Sequence, residues 1–408
     1  MTGRAGRFLL LALFIVSLLL RSPLLLLLVV LLALVGGASA LWGRYCLDGV
    51  SYARRFESER IFCGEQTELW IEIVNAKPLP LAWLKAEDEF PEDFLVERTD
   101  LGAASRPHRR LLTNLLSLRW YERVRRRYRI TGLHRGAFEF GPVRLSSGDI
   151  FGLQLRVNEA PARQTVLVYP RLVPIAALRL RAARPGGELR AERRIIEDPL
   201  ALAGIRDYRP GDSVRHIHWK STARRGQLQT KVFEPGASQQ LVLFLNGQTL
   251  PHAYTGVIAD YMETVIVIGA SLAKAGLDAR YPVGLYTNNS ARDEARRVRV
   301  PPSRHAAQLT RILEITAQLT HFTTLPFDQL LRLEAPQLTY GATVVAVSSI
   351  VNEPILSALL TLHDAGHPVS LIIANDQDQP MGELPVPVEL PIYYVKQNWD
   401  ELETLELD

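Results

Sequence analysis

The chain opens with two apolar runs. Phe8 to Leu20 is uncharged and almost wholly apolar, Arg21, Ser22 and Pro23 interrupt it, and Leu24 to Trp42 is apolar again. At 1.5 Å per residue the second run reaches roughly 28 Å, close to the about 30 Å of a bilayer's hydrocarbon core, while the first reaches about 20 Å. Snorkelling of Arg21 and added length from Gly3 to Arg7 would let the first run span as well. The pattern predicts a two-helix transmembrane hairpin over residues 1–43, its turn at Arg21-Ser22-Pro23. Arg4 and Arg7 precede it, Arg44, Arg54 and Arg55 follow it, and the tip carries only Arg21, which places both ends and the soluble domains in the cytoplasm, on a plasma membrane. A cleaved signal peptide ending at Ala38-Ser39-Ala40 is the competing reading, against which stand the length of the apolar region and the proline that breaks it.

From Val50 to about Val173 the polarity alternates. "TELWIEIVN" and "RYRITGLHRGAFEFGPVRL" change sign at every residue or nearly so, "QTVLVYP" is a short β-rich run, and prolines and glycines from Pro78 to Pro142 punctuate them. This predicts an all-β sandwich over residues 44–178 with roughly seven short strands. Thr99 to Leu118 shows no clear period and reads as a longer excursion.

After Gly236 short apolar runs alternate with helical stretches. "QLVLFLN", "YPVGLYTN", "ATVVAVSS" and "PVSLIIAN" read as buried strands, and Thr255–Ala275, Ser303–Leu319 and Glu353–Ala365 as helices. That order predicts an α/β doubly wound domain over residues 236–408, its parallel sheet covered on both faces.

Composition adds little to this frame. The chain of 408 residues has a formal net charge of +4, with arginines dense from Arg106 to Arg135 and from Arg179 to Arg225 and an acidic end from Asp400 to Asp408. Cys46 and Cys63 are the two cysteines, too few for a disulfide framework and outside any zinc spacing. In "RWYERVRRRYRI", Trp120, Tyr121 and Tyr128 interleave with basic residues as in a nucleic-acid platform. Strand parity nevertheless puts Arg125, Arg127 and Arg129 on one solvated face near lipid headgroups, so the reading favours the lipid bilayer and no nucleic acid. No P-loop spacing is present, which argues against ATP hydrolysis by the chain itself.

The densest chemistry lies in residues 179–235. "YRPGD" reads as a turn, with Pro210 presetting φ, Gly211 permissive and Asp212 capping amides, and "SVRHIHWKST" reads as a strand. Parity would send Arg215, Ile217 and Trp219 to one face and His216, His218 and Lys220 to the other. Asp212 with His216 or His218, and Ser213 or Ser221 as nucleophile, is the catalytic reading, and the same acid and imidazoles could hold a metal. The structural reading is preferred: Asp212 among Arg206, Arg215 and Arg224, with Trp219 anchoring the strand on a core.

Arg206, Tyr208, Pro210, Gly211, Asp212, Arg215, Ile217, Trp219, Ala223, Arg224, Leu228 and Lys231 together resemble the signature of the bacterial and archaeal family called domain of unknown function 58. "NAKPLPLAWLKAEDEFP" and "HRGAFEFGPVRLSSGDIFGL" resemble that family's sandwich segments. The resemblance implies a two-helix anchor, a β-rich domain, the signature as a connecting segment, and a C-terminal domain like von Willebrand factor type A. It further implies an accessory role beside a MoxR-type AAA+ ATPase in maturing membrane or secreted client proteins, with no established enzymatic activity and no cofactor. A von Willebrand type A domain binds a divalent ion through D-x-S-x-S after its first strand. Here Asn246, Gln248 and Leu250 stand at those places, so no carboxylate remains and the expectation is no metal. Asn246, Gly247, Gln248 and Thr249, at the carboxyl end of the sheet, are the expected partner-binding edge. The alternatives are a cell-envelope processing enzyme with an Asp/His site and a metal-dependent adhesion module.

Overall fold

The computed structural model describes residues 4–150, 152–175, 197–209, 212–235, 240–250, 256–292, 294–375 and 390–405. The chain forms two compact units, Met1–Pro170 and Arg171–Asp408.

The first unit begins with α1 (Arg4–Leu19) and α2 (Pro23–Tyr45), which part where Arg21, Ser22 and Pro23 interrupt the apolar sequence. Pro23 occupies the first turn of α2, where its missing N–H leaves no intrahelical bond unmade. Among the described residues only α2 is long and apolar enough to cross a membrane. The apolar part of α1, Phe8–Leu19, is shorter, so the expected pair of spans is corrected to one helix of spanning length beside a short apolar one.

The end of α2 belongs to the β-rich fold that follows. Ser39 Oγ donates to Asp149 Oδ2 at 2.8 Å, and Gly43 lies so close to Gln154 that a Cβ would fall 2.7 Å from its side chain. Cys46 and Leu47 are buried in the core of the sandwich, with Trp42 packed against them.

Twelve strands make this fold. They are β1 (Val50–Phe56), β2 (Arg60–Phe62), β3 (Gln66–Asn75), β4 (Leu81–Pro91), β5 (Phe94–Val96) and β6 (Gly102–Ala103). Then come β7 (Arg109–Leu118), β8 (Arg123–Gly132), β9 (Gly136–Phe140), β10 (Val143–Gly148), β11 (Leu155–Ala160) and β12 (Gln164–Tyr169). They form sheets in the orders β1-β3-β8-β5, β11-β10-β4-β7-β6 and β2-β12-β9. The stretch expected to be an excursion holds β6 and the ten-residue β7. Its alternation is hidden because Asn114 points inward, 1% exposed, while Leu115 points outward, 63% exposed. Phe90, Phe94 and Phe140 pack edge to face at 4.9 Å, the geometry their ring quadrupoles favour.

One ion pair sits inside this core. Arg54 Nε and Nη2 donate to the two oxygens of Asp88 at 3.0 and 2.8 Å, Tyr52 OH donates to Asp88 Oδ2 at 2.7 Å, and Arg54 Nη2 also reaches Ala162 O. Both charged side chains are 1% exposed. Burial pushes the Asp88 carboxyl up to about 6 against the opposing pull of Arg54.

The second unit opens with a hairpin of β13 (Glu197–Asp207) and β14 (Gln229–Pro235) around α3 (Trp219–Arg225). An α/β array follows: β15 (Leu241–Leu245), α4 (Ala259–Asp278), β16 (Val283–Ala291), β17 (Glu294–Ser303), α5 (Gln308–Gln318), β18 (Leu319–Thr323) and α6 (Phe327–Glu334). It ends with β19 (Thr343–Ser348), α7 (Glu353–Asp364), β20 (Val369–Ala374) and β21 (Ile392–Val395). The sheet order is β17-β16-β15-β19-β20-β21, with β18 also on β16. The expected parallel sheet is corrected at one edge, since β17 and β18 pair antiparallel with β16. The helix expected from Ser303 begins at Gln308, since Ser303 is the last residue of β17 and a short connection follows it. Parity along β15 explains the layers: Leu241, Leu243 and Leu245 face the core with α4 and α5, and Val242 and Phe244 the core with α6 and α7.

His367 gives this unit a pH dependence. It is 5% exposed, its Nδ1 lies 3.2 Å from Ala342 O, and burial lowers its pKa from the usual 6.5. The unfolded chain takes up a proton near pH 6.5 that the folded ring resists, so this contribution is complete above that value and is lost as pH falls below it. His367→Gln is expected to flatten the decline of the denaturation midpoint between about pH 6.5 and 5. An unchanged slope would remove His367 as its source.

Candidate functional site

The signature residues build a braced knob between β13 and β14. After β13, Asp212 is held by Nη1 and Nη2 of Arg206, at 2.8 and 2.7 Å, and by the Arg209 amide at 2.9 Å. The Arg206 hydrogen bonds, followed by the Arg209 N–H, hold the Asp212 carboxyl below its ordinary pKa. Pro210 and Gly211 lie outside the described residues. The chain then makes a 3-10 turn at Val214–His216, a single bridge from Ile217 to Thr230, and α3.

The expected strand over "SVRHIHWKST" is therefore corrected to turn and helix. His218 is the cap of α3, its Nδ1 accepting from the Ser221 amide at 3.1 Å, and Gly226 ends the helix in the left-handed region at φ 69. Thr222 Oγ1 donates to His218 O and accepts from the Gln229 amide, while the His218 amide donates to Gln229 O. Gln229, fully buried, closes the knob by donating from Nε2 to Asp207 Oδ1 at 2.6 Å. Gln229 was not among the residues singled out from sequence; only its closure on a distant carboxylate marks it, and no spacing announces that.

Arg206 binds Asp212, whereas Arg215 and Arg224 make no hydrogen bond to it, so the expected three-arginine network is corrected to one bidentate pair. Trp219 does not anchor a core: it is 66% exposed, as is Val214, and Ile217 is the buried apolar residue here. Both Asp212 oxygens are taken by Arg206, and His218 Nδ1 by the helix amide, which leaves neither arranged as a base with its orienting acid. Ala223 and Arg224 are exposed on α3, Tyr208 and Lys231 half-buried on the hairpin. Lys220, Arg215 and Arg224 are exposed, with no acidic partner among the described residues.

At the carboxyl end of the parallel strands Asn246, Asn288 and their neighbours form an amide cluster. Asn246 Nδ2 donates to Ser348 Oγ at 2.9 Å, and its Oδ1 accepts from Asn288 Nδ2 and the Gln248 amide, each at 3.0 Å. Asn288 Oδ1 accepts from the Gly247 amide at 2.8 Å. A Cβ on Gly247 would fall 2.0 Å from the Asn289 amide nitrogen, so a side chain has no room there. Asn246, Gly247 and Thr249 are buried and Gln248 is half-buried, so these four do not themselves present an exposed edge. Leu250 donates no oxygen from its side chain, and its carbonyl is taken by Gln248 Nε2. Among the described residues no group of three His, Cys, Asp or Glu side chains could hold a metal ion.

On β8 the exposed arginines meet glutamates of neighbouring strands. Arg125 donates to Glu72 at 2.5 Å, Arg127 to Glu68, and Arg129 to Glu97 at 3.5 Å. Tyr128 turns inward and donates to Asn114. The face is a ladder of ion pairs, with no row of free cations following a phosphate backbone.

Residues 204–385 match the family model described as Protein of unknown function DUF58. The match covers less than half of the chain, and a curated relative is similar to it as well. That relative, the uncharacterized protein YeaD of Bacillus subtilis, is 25% identical over 248 residues, 60% of this chain and 58% of its own length. The chain therefore spans less than two thirds of the relative it matches. Among solved structures, it is similar to a CARDB domain from Pyrococcus furiosus, with a TM-score of 0.19 at 11% identity, over 30% of this chain and 94% of that one. Sporulation control protein Spo0M of Bacillus subtilis gives 0.19 at 14% identity, over 29% and 49%. The DUF58 match begins within β13 and takes in the knob, the amide corner and the strands through β20.

Proposed function

We propose that this chain is a membrane-anchored protein-interaction module that serves as an assembly accessory to a MoxR-type AAA+ ATPase acting on membrane or secreted clients. In this reading α2, with the shorter apolar α1 beside it, anchors the chain in the plasma membrane, both soluble units lie in the cytoplasm, and the α/β unit is a von Willebrand type A-like domain that has exchanged its metal corner for an amide cluster. One observation carries it: the knob is braced by Asp212 and Gln229, yet it leaves Trp219 in the open, and Arg215, Lys220 and Arg224 of the same short segment are exposed as well. An exposed tryptophan among unpaired cations is the composition of a binding hot spot for an acidic protein surface. The amide corner supports the same reading over an adhesion module, since its oxygens are already engaged.

Affinity capture of the full chain from native membranes tests this. The intact chain is expected to retain an AAA+ ATPase, and Trp219→Ala to lose it by about 30-fold or more, with an unaltered melting curve because Trp219 supports no core. Captures that repeatedly lack any AAA+ ATPase would sink the proposal.

A further inference from the structure

The first unit fixes the depth of one end of its sandwich against α2. Counted at 1.5 Å per residue from Pro23, Ser39 stands about 24 Å along the helix and Cys46 about 34 Å. A hydrocarbon core is about 30 Å thick, so a helix that enters it at Pro23 still holds Ser39 within it. Ser39 is buried against Asp149, and the loop that Asp149 begins is closed on itself by the Gln154 amide on Asp149 Oδ1 at 2.6 Å. That loop cannot stand in water while Ser39 stands in lipid.

Its exposed side chains suit the place. Ile150 is 65% exposed in the loop and Leu155 68% exposed where β11 begins. The same end of the sheet carries a second apolar group: Ser147 pairs with Leu84 and Leu81 with Leu118, so the turn after β7 emerges beside the β10–β11 loop. That turn shows Trp120 at 67% and Tyr121 at 68% exposure. It is tied to the helix end, for the Tyr121 amide donates to Lys77 O while the Lys77 ammonium donates to the carbonyls of Cys46 and Asp48. Trp120 and Tyr121 thus lie near the depth of Cys46, where amphipathic rings settle among headgroups. Arg44, Arg119 and Arg156 are exposed nearby and suit lipid phosphates.

We propose that this end of the sandwich is seated in the bilayer interface, with Ile150 and Leu155 in the acyl boundary and Trp120 and Tyr121 at headgroup level. The inference rests on α2 spanning a membrane, as proposed above, and adds that the β-sandwich itself is a lipid-binding surface. Apolar side chains left in water would instead form an open patch, which soluble surfaces avoid.

The full chain, reconstituted in phosphatidylcholine–phosphatidylglycerol vesicles with brominated acyl chains, tests it. An environment-sensitive fluorescent amino acid replaces Ile150, Leu31 in the middle of α2, or Ser105 at the opposite end of the five-stranded sheet, one at a time; these side chains are exposed, so folding is not at stake. Brominated lipid is expected to quench position 150 to within about twofold of position 31 and to leave position 105 bright. Quenching at 31 without quenching at 150 overturns the inference and leaves the anchor standing. No quenching at 31 removes the anchor as well. Position 150 shielded from a water-borne quencher yet untouched by brominated lipid would mean that a protein covers this end, and the inference falls.

Discussion

Replacing Arg54 with leucine lowers the stability of the sandwich by about 3–5 kcal/mol, the loss expected when one partner of a buried ion pair is removed and the other stays behind. Asp88 then keeps only the Tyr52 hydroxyl, at a site 1% exposed. The loss depends on pH in a defined direction. Burial has already raised the Asp88 carboxyl to about 6, so the folded state binds its proton more tightly than the unfolded chain does. Stability from the neutral acid is fully present below the ordinary carboxyl pKa of about 4 and is lost as pH rises through the folded value. Without the guanidinium that value climbs further, so Arg54→Leu is expected to be milder at pH 5 than at pH 8. Denaturant midpoints at the two pH values check this, with Arg54→Leu/Asp88→Leu as the control that removes both charges. That double variant is expected to regain most of the loss. A single variant as stable as the parent at pH 8 would show that the pair does no more than an apolar contact.

Asn288→Leu is expected to remove about 2–5 kcal/mol from the α/β unit, because it leaves the buried Gly247 amide without an acceptor and takes a donor from Asn246. It also strips a donor from the carbonyl of Leu325, 3.2 Å from Asn288 Nδ2. Asn288→Asp separates shape from hydrogen bonding: it keeps the acceptor for Gly247 but turns a lone pair toward Asn246 Oδ1 and buries a charge. Chemical denaturation is the measurement. If leucine is tolerated within about 0.5 kcal/mol, the cluster is packing with incidental hydrogen bonds, for distant surface changes have effects of that size.

What the sequence disclosed follows the strength of each local signal. Short apolar runs such as Leu241–Leu245 are buried on both sides, so their reading as strands needed no further information. β7 was hidden by one inward asparagine and one outward leucine, a reversal explained by Arg126 and Tyr128, which reach Asn114 from β8 of another sheet. The signature segment misled in a different way. Arginine, isoleucine and tryptophan at alternate positions mimic a strand, while α3 is seven residues long and capped by an imidazole rather than by the short polar side chains that usually announce a helix. Its family-like spacing was legible; its shape depended on Gln229 meeting Asp207 across 22 residues of sequence. The residues that close the corner at Asn246, namely Asn288, Asn289 and Ser348, come from distant parts of the chain, and no local spacing announces them.

Between the last turn of α2 and the first strand there is almost no slack. Tyr45 ends the helix, Val50 begins β1, and Cys46 and Leu47 between them are buried in the core. A leash of flexible residues would let the sandwich swing and tumble while its helix stayed put; this junction makes helix and sandwich a single lever. A push on the sandwich is therefore felt at the end of the helix, because Cys46 and Leu47 are packed into the same core.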